Sequence, residues 1–215
     1  MSTPNPDARQ EILERVRRAA PGGGDRAAEY AAIPREYRRE GGMSPAARLE
    51  LFAARLFDYG AVVYRCSAPQ IADAVAQALT QRQRSAIVVS RGVPASWLPE
   101  GFEFIEDNAL SYAALDESNG VLTGCEAAVA MTGTIILRHG PGQARRAVTL
   151  VPDYHLCVVH AQQLVETLPE AIRRSEEFRA VPLTTVSGPS ATSDIEMTRV
   201  RGVHGPRTLD VVLVS

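Results

Sequence analysis

The chain has no lysine: all 23 basic residues among its 215 are arginine. That absence excludes Schiff-base catalysis, pyridoxal phosphate attachment and a P-loop lysine on a nucleotide phosphate. A cation that grips an anionic ligand must be an arginine, a histidine or a helix N-terminus. Cysteine is scarce, at positions 66, 125 and 157, and no CxxC pair occurs, so the chain has no local signature of an iron–sulfur cluster or structural zinc. The histidines at 139, 155, 160 and 204 form no HxxxH or HExxH, and no metal site is expected. There is no GxGxxG for a flavin or nicotinamide cofactor. A net charge of −2 supplies no basic excess for neutralising phosphates, which argues against a nucleic-acid partner. Apolar runs fall short of the ~18 residues that cross a bilayer, and the polar opening MSTPNPDARQ lacks a secretory apolar stretch. Three unpaired thiols then fit a reducing, cytoplasmic setting.

What is present suits a folded α/β protein. Hydrophobic residues make up 45% and charged residues 22%, enough apolar material for a sizeable core. Residues 1–20 pattern as a short amphipathic helix ended by Pro21-Gly22-Gly23-Gly24, and residues 25–43 are poor in large apolar side chains. Residues 1–43 therefore read as an arm, and residues 44–215 as one domain. Ser44-Pro45 is an N-cap followed by proline at the first helical position, and Leu49, Phe52, Ala53 and Leu56 follow at helical spacing. Strands are expected at 61–64, 86–89, 102–105, 121–124, 134–137, 155–159, 182–186 and 209–214. Helices are expected from Pro69 to about Leu79, and for about 16 residues after the strand at 155–159, with Leu164, Leu168, Ala171 and Ile172 as the apolar stripe. This alternation predicts a mostly parallel sheet covered on both faces.

Three segments carry candidate chemistry. The first runs from Ser187 to Glu196, where a strand enters a Gly-Pro turn crowded with hydroxyls. Gly188, Ser190, Thr192, Ser193, Asp194 and Glu196 would bind a phosphate or carboxylate there, beyond a strand's carboxyl end. Ser193 and Glu196 fit a helix capping box equally well. The second is Gly202-Val203-His204-Gly205-Pro206-Arg207. Its glycines permit close backbone approach, His204 can carry a proton, and Arg207 can hold an anion. The third joins Thr123-Gly124-Cys125-Glu126 to Thr132-Gly133-Thr134. Glu126 is a lone carboxylate among small and apolar residues, suited to act as base or nucleophile if buried, or to pair with an arginine at an edge. The Gly188–Glu196 turn, the His204–Arg207 loop and the Thr132–Thr134 segment are expected to meet at one end of the sheet.

The stretch from Thr123 to Thr134 resembles the central signature of the LUD-domain family, as does the stretch from Gly188 to Glu196 with its continuation to Arg207. The likeness spans about residues 45–215. It departs at Met131, where the family usually has an acidic residue. The resemblance implies a layered α/β sandwich like that of the sugar-isomerase and coenzyme A-transferase group. It also implies a cytoplasmic role in oxidising L-lactate to pyruvate, with the iron–sulfur clusters carried by partner proteins rather than by this chain. Two other functions stay open: an isomerase- or acyl/coenzyme A-transferase-like enzyme using Glu126, and a regulatory domain sensing a small carboxylate.

Overall fold

The computed structural model describes residues 6–20, 24–174, 181–192, 200–201 and 205–215. The chain divides into two compact units, 1–37 and 38–215. The first carries α1 (Pro6–Ala19) and α2 (Arg26–Ala32). Asp25 caps α2 by accepting from the Ala27 and Ala28 amides. Ile12 and Val16 of α1 are exposed.

The second unit opens with α3 (Pro45–Asp58), where the Ser44 hydroxyl accepts from the Ala47 amide at 3.2 Å. There follow β1 (Val62–Cys66), a 3₁₀ turn, α4 (Ile71–Gln81), β2 (Ala86–Val89), β3 (Glu103–Glu106), α5 (Tyr112–Glu117) and β4 (Val121–Thr123). Then come β5 (Ala127–Val129), β6 (Thr134–Leu137), β7 (Tyr154–His160), β8 (Leu164–Val165), α6 (Leu168–Arg174), β9 (Thr184–Val186), β10 (Ala191–Thr192), β11 (Val200–Arg201) and β12 (Thr208–Val214). Six strands form an all-parallel sheet in the order β1-β12-β7-β4-β2-β3, and four form a small mixed sheet in the order β8-β5-β6-β9. β10 and β11 pair with each other in antiparallel fashion.

Two-residue periodicity sorts the core into layers. Leu209, Val211 and Leu213 of β12, with Cys157 and Val159 of β7, face α3 and the mixed sheet. Val212 and Val214, with Tyr154, Leu156 and Val158, face α4. Both faces of the central strands are therefore apolar, as burial between two layers requires. The outer face of the mixed sheet, with Ala127, Val129 and Ile136, is closed by Ala171 of α6. This is the expected α/β sandwich with a parallel sheet at its centre.

Two expectations change. The long helix after β7 is instead a 3₁₀ turn, the two-residue strand β8 and the seven-residue α6. Leu164 and Val165 pair beside Ala128 and Val129 and bury on opposite faces of the sheet, which a helix could not achieve. Leu168 and Ile172, assigned to the apolar stripe, are exposed. Residues 38–43, grouped with the arm by composition, are fastened within the second unit. Glu166 takes the Arg38 guanidinium at 2.5 Å and the Met43 amide at 2.6 Å, and Glu170 takes the Gly41 amide at 3.1 Å. Among the described residues no helix is long and apolar enough to cross a membrane.

Candidate functional site

The 187–190 turn and the 205–206 loop lie against each other, with the Ser190 amide donating to the Pro206 carbonyl at 2.9 Å. Gly205 allows this loop to approach the 150–152 backbone, because a β-carbon there would stand 2.7 Å from the Leu150 carbonyl oxygen. Gly188 (φ +88°) packs its bare α-carbon on Tyr59. A chain of hydroxyls then joins the third segment to the first. Thr132 meets Thr134 at 2.7 Å, and Thr134 meets Ser187 at 2.8 Å. The 187–190 turn, the 205–206 loop and the Thr132–Thr134 stretch are thus neighbours.

Between the turn and the loop opens a cleft of about 340 Å³, within the range of small-ligand sites. Ser187, Gly188, Ser190, Gly205 and Pro206 line one side. Arg146, Thr149 and Thr184 supply a cation and hydroxyls, and His155 and Leu209 border the cleft from the sheet. None of the described lining residues is Asp or Glu. The Arg146 guanidinium donates to the Thr184 hydroxyl at 2.7 Å, and among the described residues no carboxylate forms an ion pair with it. Thr184 in turn contacts His139 Nε2 at 2.6 Å, and His139 Nδ1 meets the Ala144 carbonyl at 3.2 Å.

His155 is fully buried and shares a 2.8 Å hydrogen bond with the Thr123 hydroxyl. Desolvation pushes its imidazole down to about 4, so the ring is neutral near pH 7.

The cleft's position differs from the expected carboxyl ends of the parallel strands. His155 and Leu209 stand at the starts of β7 and β12, so the cleft lies at the amino ends of those strands. The strand that feeds the 187–190 turn is β9, a member of the mixed sheet. The turn follows a strand's carboxyl end, but not one of the parallel sheet.

The remaining candidates fall elsewhere. Glu126 does not line the cleft. Its Oε2 stands 3.1 Å from Arg138 Nε in an ion pair and accepts a hydrogen bond from Gln143 Nε2 at 3.1 Å, while Gln143 Oε1 takes the Arg138 amide at 2.7 Å. Glu126 thus fastens the start of the segment that carries His139, Arg145 and Arg146. Arg207 pairs with Asp153 and is largely exposed outside the cleft. Gly133 is buried against Arg55 and Tyr59. Exposed Met131 donates its amide to the Glu166 carbonyl at 3.1 Å. Thr192 lies in β10, and Ser193, Asp194, Glu196 and His204 lie outside the described residues. Sequence reasoning missed Arg146, Thr184, His139 and His155. Arg146 carries no local mark beyond adjacency to Arg145, which is committed to Asp107 through two hydrogen bonds. Among the described residues no group of three or more His, Cys, Asp or Glu side chains is placed to hold a metal ion.

The fold and cleft define a layered α/β protein with a small, hydroxyl-rich site bordered by an arginine that has no acid partner among the described residues. The LUD domain family model matches residues 106–214. The chain is 42% identical over 212 residues to Lactate utilization protein C of Deinococcus radiodurans, covering 97% of this chain and 96% of that protein. It is 34% identical over 91 residues to Lactate utilization protein C of Halalkalibacterium halodurans, covering 40% of this chain and 39% of that protein. The crystal structure of a DUF162 family protein from Deinococcus radiodurans superposes with a TM-score of 0.71 at 41% identity, over 81% of this chain and 100% of that one. The chain belongs to the LUD-domain family.

Proposed function

We propose that this protein works in lactate utilisation as a non-redox component of a system that oxidises L-lactate to pyruvate, and that its cleft binds a small carboxylate. The observation that carries the site is Arg146, a cation with no acidic partner among the described residues, in a cleft lined by hydroxyls and free of described carboxylates. Arg82 and Arg145 are each paired with a carboxylate, whereas Arg146 stands exposed at the cleft with no described acid on it, where its planar guanidinium is suited to hold a ligand carboxylate. The identity to Lactate utilization protein C over nearly the whole chain supports lactate as the metabolic context.

In this reading the electron carriers are iron–sulfur partner proteins, and the chain contributes ligand binding and assembly. The wide separation of its cysteines in sequence and their lack of a cluster motif support that division of labour. The test is lactate-dependent dye reduction by the purified chain, by its iron–sulfur partners, and by the two combined. The combination is expected to reduce dye at a rate neither component reaches alone. Reduction by the isolated chain, or full activity of the partners without it, overturns the proposal.

A further inference from the structure

We infer that the cleft takes up a small monocarboxylate together with one proton, Arg146 holding the carboxylate while Thr184 relays the protonation state of His139 to it. The inference rests on the carboxylate reading of the cleft and goes beyond it in naming the residues and the linkage.

The argument is a count of hydrogens. A carbonyl oxygen only accepts, so in the 3.2 Å contact with Ala144 the proton sits on His139 Nδ1. In the neutral ring Nε2 then has no hydrogen and must accept, and its 2.6 Å partner is the Thr184 hydroxyl. Arg146 donates to the same hydroxyl oxygen at 2.7 Å. The single hydrogen of Thr184 is therefore committed to His139, and a ligand in the cleft meets only the oxygen's remaining lone pair. For a carboxylate that is a repulsive contact.

Protonating His139 reverses the arrangement. Nε2–H now donates to the second lone pair of Thr184, and the hydroxyl hydrogen is free to turn into the cleft toward an anion. The charge balance favours the same outcome. His139 also borders a shallow hollow lined by Ser90, Arg91, Asp107 and Arg145. There Arg145 is paired with Asp107, and Arg91 stands 3.7 Å from Glu106. The adjacent Arg138 is paired with Glu126. Those acids are matched by arginines, so a protonated His139 beside Arg146 leaves two positive charges without a described counter-ion. An anion in the cleft supplies one. Binding of anion and proton must then be mutually favourable, by reciprocity of linkage.

The cleft's other walls fit a short organic acid better than inorganic phosphate. Leu150, Val186, Pro189 and Leu209 offer an apolar surface beside the hydroxyls.

The experiment is isothermal titration calorimetry of the full chain with L-lactate, pyruvate and inorganic phosphate, at pH 8 and pH 6 and in buffers of differing ionisation enthalpy. At least one of the two monocarboxylates is expected to bind at least about tenfold tighter at pH 6, with net proton uptake on binding at pH 8. Arg146→Gln should remove binding at both pH values. His139→Asn suits the test because asparagine tolerates the left-handed backbone at this position, φ +59°. It should retain only the weak, pH-independent binding, as should the nearly isosteric Thr184→Val if His139→Asn fails to fold. Wild-type carboxylate binding with no pH dependence and no proton uptake overturns the linkage and leaves the carboxylate site standing. Binding of phosphate alone overturns the monocarboxylate assignment. Absence of binding by all three overturns the site, while the dye-reduction assay independently decides the role in lactate oxidation.

Discussion

Arg82, at the end of α4, grips Asp210 of β12 through two parallel hydrogen bonds of 2.8 Å, and the carboxylate it holds is fully buried. The other two contacts on that carboxylate come from the Val62 amide at 3.1 Å and the Tyr154 hydroxyl at 3.2 Å. Four donors on two oxygens fill the acceptor capacity of a carboxylate. They also tie α4, β1 and β7 to the strand that lies between β1 and β7. Burial and the nearby Asp210 charge push the Tyr154 phenol far above its usual range, so it remains a donor at every accessible pH. Removing one member of such a buried pair strands the others. Asp210→Ala is expected to lower unfolding free energy by about 3–5 kcal/mol in urea titrations. A loss under about 1 kcal/mol would show that the sheet order does not depend on this carboxylate.

His155 makes stability depend on pH. Its folded-state imidazole is pushed down to about 4 by desolvation, against 6.5 for the ordinary group. Below pH 6.5 the unfolded chain binds a proton that the folded chain refuses, so acidification favours unfolding. The contribution is intact above about pH 6.5 and is progressively lost between about 6.5 and 4, amounting to roughly 3 kcal/mol at the acid end. Urea midpoints measured from pH 7.5 to pH 4 should fall accordingly in the wild type. His155→Gln should flatten that part of the curve, whatever its effect at neutral pH. A profile with the same slope in both proteins would assign the acid lability to other groups.

The sequence was readable where local chemistry decides structure. Ser44 and Pro45 start α3 because a hydroxyl acceptor and a fixed φ suit the first turn in any context. β7 and β12 show as apolar runs because both faces of each strand are buried. Long-range choices left no such trace. Val165 becomes part of a strand only because Val129 is there to pair with it. The insertion of β12 between β1 and β7 brings the last strand beside the first, which no window of sequence records. The segments bearing Ser187, Gly205 and Thr134 were legible as neighbours through their glycines and hydroxyls. Arg146 was not, since its place beside the hydroxyls of the cleft is set by the fold and not by its neighbours in sequence.

Glu126 provides a direct contrast between chemistry and positioning. Its carboxylate is engaged with Arg138 and Gln143 and lies off the cleft. Glu126→Gln keeps an oxygen to accept from Gln143 while giving up the ion pair with Arg138. It is therefore expected to retain at least about half of the carboxylate affinity and of the partner-dependent dye reduction. A nucleophile or general base at this position would instead lose on the order of 10²–10⁴ in rate on the same substitution. A loss of that size with unchanged ligand affinity would restore Glu126 to a catalytic role. Glu126→Ala, which removes both acceptors, should speed amide hydrogen exchange across residues 138–143.

Gly188 and Gly101 form a natural pair for separating backbone strain from steric conflict. Both have φ +88°, so an alanine at either pays the same left-handed penalty, about 1–2 kcal/mol. Their surroundings differ. A β-carbon at Gly101 meets nothing within 4 Å, whereas one at Gly188 stands 2.7 Å from Cβ and Cγ of Tyr59. Tyr59 has little freedom to yield, because it closes the end of α3 and donates its hydroxyl to the Thr132 carbonyl at 3.2 Å. Overpacking at such a site adds about 1–3 kcal/mol. Gly101→Ala should therefore cost about 1–2 kcal/mol in urea titrations, and Gly188→Ala distinctly more, about 2–5 kcal/mol. Because Gly188 also lines the cleft, its alanine variant should weaken carboxylate binding, while Gly101→Ala leaves the affinity unchanged. Equal costs for the two variants, with unaltered binding in both, would mean that Tyr59 swings aside freely and that the turn at 187–190 is not braced by α3.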